Sequence, residues 1–283
     1  LEAIGKGELK LESIFRKDLF KNHTALITGG GSGIGFRTAK ELASLGAHVI
    51  LASRNTKKLH EACEEIKNNA GEASYIPLNI RDEASIKECF SFIKNNFDKL
   101  NFLINNAGGQ FPSPAEKITS KGWNAVIETN LTGSFMMCCE SFQSFFKENG
   151  GKIVNVLANF WNGFPMMSHT GAARAGVENL TKTLATEWGR YGVSINSVAP
   201  GIINSSGLDT YDPKFKSIVN SAGKFNQTSR LGTEAEVANT IIFLLGPVAN
   251  YITGETIKVD GGESLFHPLY PPIEHSNSRP DLY

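Results

Sequence analysis

No run of about 18 consecutive apolar residues occurs in the 283-residue chain, which excludes a membrane-spanning helix. Charge of one sign is missing too. Lys plus Arg (28) equal Asp plus Glu (28), so no global field draws the chain to nucleic acid or to an anionic membrane. An anionic ligand must therefore be held by local groups. The four cysteines, Cys63, Cys89, Cys138 and Cys139, have neither a metal-ligand spacing nor a CxxC. They read as small core hydrophobes of a reducing compartment, and no metal is assigned. The first twenty residues lack the apolar core of a secretory signal, and the ending Arg279–Tyr283 is not an SKL-type address, so cytoplasm is the expected location. Internal repeats and low-complexity tracts are absent.

Apolar residues (41%) and 28 glycines are present, enough for a sizeable core. One stretch organises the rest. Residues 24–27 read as a short buried strand, 28–35 (TGGGSGIG) as a glycine-rich turn, and Ile34, Ala39, Leu42 and Ala43 as the apolar stripe of a following helix. The unpaired N–H groups and positive dipole end of that helix suit a pyrophosphate. Glycine is required where a Cβ would hold the phosphate away. A second strand, Val49-Ile50-Leu51, follows at the βαβ distance, so a dinucleotide site is expected.

From there strand and helix alternate. Strands are expected at 23–28, 47–52, 74–79, 100–105, 152–157, 192–198 and 255–259. Helices are expected at 33–45, 56–69, 83–97, within 116–148, and at 168–190 and 234–246. This is the pattern of an α/β doubly wound parallel sheet, a Rossmann fold, in a single domain with ligands at the carboxyl ends of its strands. Its expected limits are 22–262. Residues 1–21 form an N-terminal arm anchored by Ile14, Phe15, Leu19 and Phe20. Residues 263–283, with four prolines, form an extended tail.

The second strand ends Ala52-Ser53-Arg54. An NAD site would put a carboxylate there for the ribose hydroxyls, whereas Ser53 and Arg54 suit a 2′-phosphate. NADP(H) is the expected cofactor. Asn79-Ile80 and Asn105-Asn106-Ala107-Gly108 end the next two strands, where the adenosine half should pass.

With these residues in hand, the chain resembles the short-chain dehydrogenase/reductase family over residues 22–262. The likeness rests on TGGGSGIG, Asn105–Gly108, Asn130 in ETNLTG, Ala199-Pro200-Gly201 and Asp260-Gly261-Gly262. It implies a cofactor set of Gly29, Gly31, Ser32, Gly33, Ile34, Gly35, Ser53, Arg54, Asn79, Ile80, Asn106, Ala107, Gly108, Arg174, Pro200, Gly201 and Ile203. The implied catalytic set is an Asn, a Ser and a Tyr-x-x-x-Lys. Only the Asn is present, as Asn130, with an implied role in kinking its helix and relaying water. Ala158 stands at the serine position, Thr170 at the tyrosine and Arg174 at the lysine.

A threonine hydroxyl is far too weak an acid to replace a tyrosine, although it can donate a hydrogen bond. An arginine stays protonated and shuttles no proton. His169 and Asn159 join Asn130, Thr170 and Arg174 as candidate catalytic residues. Trp161 is either a substrate wall or packing, and Glu178 with Lys182 reads as an i,i+4 ion pair.

Through NNAGGQFPSPAEKITSKGW, HTGAARAGV and NLTKTLATEW the chain most resembles the branch of trans-2-enoyl-CoA and 2,4-dienoyl-CoA reductases, and through SIFRKDLF, LANFWNGFPMMSHTGAARAGVENLTKT and SSGLDTY it also resembles bacterial citronellol dehydrogenases. The implied activity is an NADPH-dependent reductase of an α,β-unsaturated acyl thioester, whose enolate is stabilised by hydrogen-bond donors. A terpenoid alcohol or aldehyde dehydrogenase is the alternative among enzymes. A catalytically impaired NADP(H)-binding sensor or scaffold is the alternative of another class. Small-molecule substrates are the expected partners, together with further copies of the chain in a homodimer or homotetramer. The apolar set Val126, Ile127, Leu131, Phe135, Met136 and Phe142 exceeds what one core face needs. Residues 203–230 are expected to form a mobile lid over the substrate.

Overall fold

The first strand is apolar throughout because both of its faces are covered. In the computed structural model, which describes residues 16–205, 208, 212, 213, 217, 219, 221–273 and 275, β1 (Thr24–Thr28) is buried along its whole length. It pairs in parallel with β2 (His48–Ser53) on one side and β4 (Phe102–Asn105) on the other. The complete parallel sheet has seven strands. In order they are β3 (Glu72–Pro77), β2, β1, β4, β5 (Gly151–Val156), β6 (Val193–Pro200) and β9 (Thr256–Val259). A separate pair, β7 (Ile203–Asn204) and β8 (Gly232–Thr233), joins the stretch after β6 to the start of a helix.

Alternation along each strand splits the core in two. Ala25, Ile27, Val49 and Leu51 face α1 (Gly33–Ser44), α2 (Thr56–Asn68) and α8 (Glu234–Leu245). Leu26, Ile50 and Leu103 face α3 (Glu83–Asn96), α5 (Gly133–Ser141) and α7 (Ser168–Trp188). The sheet order reverses beside β1, between β2 on one side and β4 on the other, which opens a crevice at the carboxyl ends of the strands.

The helix expected within 116–148 starts at Ser120, after a 3₁₀ turn at Ala115–Lys117, and is not uniform. α4 (Ser120–Ile127) passes through a π turn (Glu128–Thr132) into α5, and a second π turn (Phe142–Phe146) leads to α6 (Lys147–Asn149). The first π turn has a local cause. The Asn130 side-chain amide donates to the Val126 carbonyl at 2.9 Å, four residues back, and competes for the acceptor of a normal helical bond. Gly133 lets α5 approach the Ile80 carbonyl, which would lie 2.8 Å from a Cβ there.

β3 ends at Pro77, two residues before the expected end, so Asn79 and Ile80 stand on the connection beyond it. Of the N-terminal anchors, Phe20 is buried and stacks edge-on against Phe102 at 5.3 Å, while Ile14 and Phe15 lie outside the described residues. The tail is not extended throughout. Residues Glu263–Leu265 form a 3₁₀ turn and His267 bridges to Tyr270; residues 276–283 lie outside the described set. No helix of the described residues is long and apolar enough to cross a membrane.

Candidate active site

The glycine-rich turn takes the shape its residues allow. Gly29 (φ +66°) and Gly33 (φ +61°) occupy left-handed conformations that a side chain would strain. Gly35 serves packing rather than the crevice. A Cβ there would collide with the Asn106 side chain and stand 2.6 Å from the Gly29 carbonyl. Asn106 is similarly committed: its amide donates to the carbonyls of Thr28 (3.0 Å) and Gly29 (3.3 Å). The backbone N–H groups of Asn106 and Ala107 both donate to the Thr28 hydroxyl at 3.0 Å. Asn106 thus fixes the turn's shape and at the same time lines the crevice.

Two cavities meet above this turn. The first, about 450 Å³, is lined by Gly29, Gly31, Ser32, Gly33, Ile34, Ser53, Arg54, Lys58, Asn79, Ile80, Ala107 and Gly108. It gathers nearly all the residues expected to hold the adenosine and pyrophosphate, and adds Lys58 on the first turn of α2. The second, about 690 Å³, shares Ile34, Asn106, Gly108 and Ser205 with the first. Its wall continues through Leu157–Asn159, Phe164, Met167, Arg174, Pro200–Ile203, Leu208, Val219 and Glu263. Together they form one crevice of elongated shape, with cations at one end and an apolar chamber at the other. The glycines keep its floor free of Cβ atoms, so the residues present fit a dinucleotide.

Arg174 is placed by the sheet's polar spine. Asn105 donates to Asn155 at 2.9 Å, Asn155 donates to the Thr181 hydroxyl at 2.9 Å, and Thr181 meets Ser197 at 2.7 Å. This chain registers α7 on the sheet two turns from Arg174. Arg174 is 8% exposed, and its guanidinium donates to the Val156 carbonyl at 2.9 Å. Its Nε has no partner among the described residues, and burial pulls its pKa down to about 10. A buried cation lacking a carboxylate is costly unless a ligand completes it. Beside it, Asn130 is fully buried. It donates to the Gly109 carbonyl at 2.7 Å and accepts from the Gly109 N–H at 3.2 Å, stapling the loop after β4.

Thr170 and His169 do not join this arrangement. Both are fully buried and neither lines the crevice. The threonine side chain is too short to cover the span that a tyrosine ring would. His169 Nδ1 accepts from the Thr170 N–H at 2.8 Å, so the proton sits on Nε2, which has no acceptor among the described residues. Phe111 packs edge-on against the ring at 4.6 Å, and burial lowers its pKa. This imidazole is neutral packing. Trp161 is also outside the wall; it stacks on Phe160 at 4.3 Å, with the Lys258 ammonium 4.2 Å from its ring. Glu178 and Lys182 pair on the surface of α7 as the i,i+4 spacing predicts.

Asn159 does reach the chamber, and with it comes a residue that sequence reasoning missed. Asn159 and the Ile202 backbone lie beside the carboxyl of Glu263 and favour its charged form. Burial, reinforced by nearby Asp260, raises that carboxyl above the ordinary glutamate value. The signal was available: an acidic residue just past the carboxyl end of a strand, where such sheets bind ligands. Among the described residues no group of three or more His, Cys, Asp or Glu side chains could hold a metal ion.

A parallel seven-stranded sheet with a glycine turn at its switch point defines a dinucleotide-binding α/β protein. A family model described as enoyl-(acyl carrier protein) reductase matches residues 29–264, and the chain belongs to the short-chain dehydrogenase/reductase family of oxidoreductases. It is 35% identical over 260 residues to a peroxisomal 2,4-dienoyl-CoA reductase of Danio rerio, covering 90% of this chain and 86% of that one. It is 38% identical over 245 residues to a probable 2,4-dienoyl-CoA reductase of Bacillus subtilis, covering 85% and 96%. The solved structure of a citronellol catabolism dehydrogenase from Pseudomonas aeruginosa superposes with a TM-score of 0.80 at 43% identity, covering 90% of this chain and all of that one.

Proposed function

We propose that this protein is an NADPH-dependent reductase of α,β-unsaturated acyl thioesters. The observation that carries the reading is the make-up of the chamber wall. It offers apolar surface from Leu157, Phe164, Met167, Leu208 and Val219, and the fixed donors of Arg174, but no tyrosine-like acid, with Ala158 beside Asn159 and Thr170 buried away from it. Reducing a carbonyl, or oxidising an alcohol, requires a proton to move on or off oxygen as hydride moves. Reducing a conjugated C=C puts the developing charge on the thioester oxygen, where hydrogen-bond donors suffice, and leaves the proton to be delivered to carbon afterwards.

In this reading Ser53, Arg54 and Lys58 hold the 2′-phosphate, and the N–H groups of Gly31–Gly33 hold the pyrophosphate. Asn79 and Ile80 flank the adenine, while Arg174, Gly108, Pro200, Gly201 and Ile203 bind the nicotinamide half. The nicotinamide, when bound, supplies hydride. Arg174 supplies a fixed positive charge to the ribose and the thioester oxygen, and Asn130 keeps the loop at Gly109 in place. Self-association into a homodimer or homotetramer is part of the same proposal, since Phe135 of α5 is 44% exposed; the sedimentation velocity of the purified chain tests it.

The likeness to the citronellol catabolism dehydrogenase, at 43% identity, favours a second reading as a terpenoid alcohol or aldehyde dehydrogenase. One experiment separates the two: NADPH oxidation with trans-2-enoyl-CoA and 2,4-dienoyl-CoA, beside NADP⁺ reduction with citronellol. Turnover of a thioester supports the first reading. Turnover of the alcohol alone overturns it, and tight NADPH binding without turnover of any of these points to a sensor or scaffold.

A further inference from the structure

Reduction of a conjugated C=C consumes a hydride and a proton, and the hydride source is not the proton source. Among the described residues lining the chamber, only Arg174 and Glu263 carry titratable groups. Arg174, with its pKa at about 10, is a poor match for proton transfer near neutrality. Glu263 is held in place from three directions. Gly261 (φ +61°) and Gly262 (φ +81°) turn the chain back after β9. The absence of a Cβ at Gly201 leaves room for the carboxyl, whose Oε2 lies 2.9 Å from where that Cβ would stand. The Asn159 side chain and the Ile202 backbone flank it on the remaining side. The neighbouring carboxylate, Asp260, is spent elsewhere: its two oxygens accept from the N–H groups of Gly262 and Ser264, each at 2.9 Å. The Asn159 carbonyl oxygen, buried and without a partner among the described residues, adds a free acceptor at the same spot.

We propose that Glu263, with Asn159 beside it in the chamber wall, is the general acid that protonates the substrate carbon, an inference that rests on the thioester-reductase reading above. Hydride adds to the conjugated carbon chain, and the displaced π electrons move onto the thioester oxygen as an enolate. The enolate then re-forms its C=O, its carbon–carbon π electrons take the proton from the Glu263 carboxyl, and Glu263 is left as a carboxylate that solvent reprotonates. The balance is one hydride and one proton added to the substrate and one oxidised nicotinamide released. Burial favours the protonated form needed for the task and outweighs the Asn159 and Ile202 contacts, which favour the carboxylate. The charged groups around Glu263 are Asp260, Lys258 over Trp161, Arg174 across the chamber, and the Arg230–Glu236 pair behind the glycine turn.

The test compares the full chain with Glu263→Gln, using NADPH and a medium-chain trans-2-enoyl-CoA. A general acid must be protonated, so wild-type kcat is full below the Glu263 pKa and falls as pH rises through it. Glu263→Gln is expected to lower kcat about 100-fold, to leave KM and the NADPH Kd within about twofold, and to remove that alkaline fall. An infrared titration of the NADPH complex gives a readout independent of turnover. It should contain a carboxyl that stays protonated above the ordinary glutamate range, missing in the variant. A variant with kcat within about threefold of wild type and an unchanged pH profile overturns the assignment while leaving the reductase reading intact. If wild type binds NADPH but turns over no enoyl- or dienoyl-CoA, the reading itself falls and the assignment with it. Should Glu263→Gln fail to bind NADPH, Glu263→Asp and the wild-type infrared titration decide, and the absence of a raised carboxyl overturns the proposal.

Discussion

Cofactor choice is the sharpest quantity the crevice offers. Arg54, at the end of β2, and Lys58, on the first turn of α2, are both exposed at the cation-rich end. Neither needs to leave an acidic partner to meet a phosphate, because no ion pair joins Arg54 or Lys58 to a carboxylate among the described residues. A hydrogen bond to a charged group contributes about 1.5–3 kcal/mol. Exposure and salt screening put Arg54 at the low end, about 1.5 kcal/mol, which is roughly a tenfold change in Kd. Arg54→Ala should therefore weaken NADPH about tenfold, and the double change with Lys58→Ala about 100-fold if the two act independently. NADH, which lacks the 2′-phosphate, should keep its affinity within about twofold in both variants. Fluorescence titration of each nucleotide at low and high salt measures this, and the wild-type preference for NADPH should narrow as salt rises. Equal losses for NADPH and NADH, or no loss for either, would refute the assignment of these cations to the 2′-phosphate.

Arg174→Met removes a buried cation whose Nε lacks a partner. The apo protein should melt at the same temperature or higher by calorimetry, while NADPH binds at least about tenfold more weakly. Gly35→Ala forces a methyl against Asn106 and the Gly29 carbonyl, and should cost about 1–3 kcal/mol in urea unfolding. Thr233 and Glu236 form a reciprocal cap on α8, and Arg230 holds Glu236 below the ordinary carboxylate range. A depressed folded pKa means that this stability is present above the unfolded value and lost as pH falls through the folded one. Glu236→Gln should accordingly melt earlier than wild type at pH 7, with the gap closing under acid.

Much of this layout could be read from the chain because it follows from local chemistry. The strand–glycine–helix of 24–45 needs only burial, φ and N–H geometry, and it stands where the pattern put it. β3 was misplaced by two residues because Glu72-Ala73-Ser74 carries little apolar signal, and its pairing with β2 decides the matter. The π turn at Asn130 was foreshadowed by an asparagine in mid-helix. Nothing in the sequence said that the Asn130 amide would take the Val126 carbonyl and staple Gly109 at the same time.

The candidate site divides along a different line. Residues whose contribution is backbone shape, such as Gly29, Gly33, Gly108 and Pro200–Gly201, line the crevice where the strand ends put them. Residues whose contribution is side-chain reach divide: Arg54, Asn159 and Arg174 line the crevice, while Thr170 and His169 do not. Thr170 and His169 were nominated because they occupy places where reactive groups would stand, yet reach depends on side-chain length and on which way the first turn of α7 faces. Glu263 shows the converse. Its place after β9 looks like the start of a tail, and two left-handed glycines turn it back against Gly201, more than a hundred residues from Asn159 in sequence. A long-range approach of that kind leaves no periodicity to detect. In this chain the acid proposed in place of the tyrosine therefore stands not on α7 but beyond another strand end that opens into the same chamber.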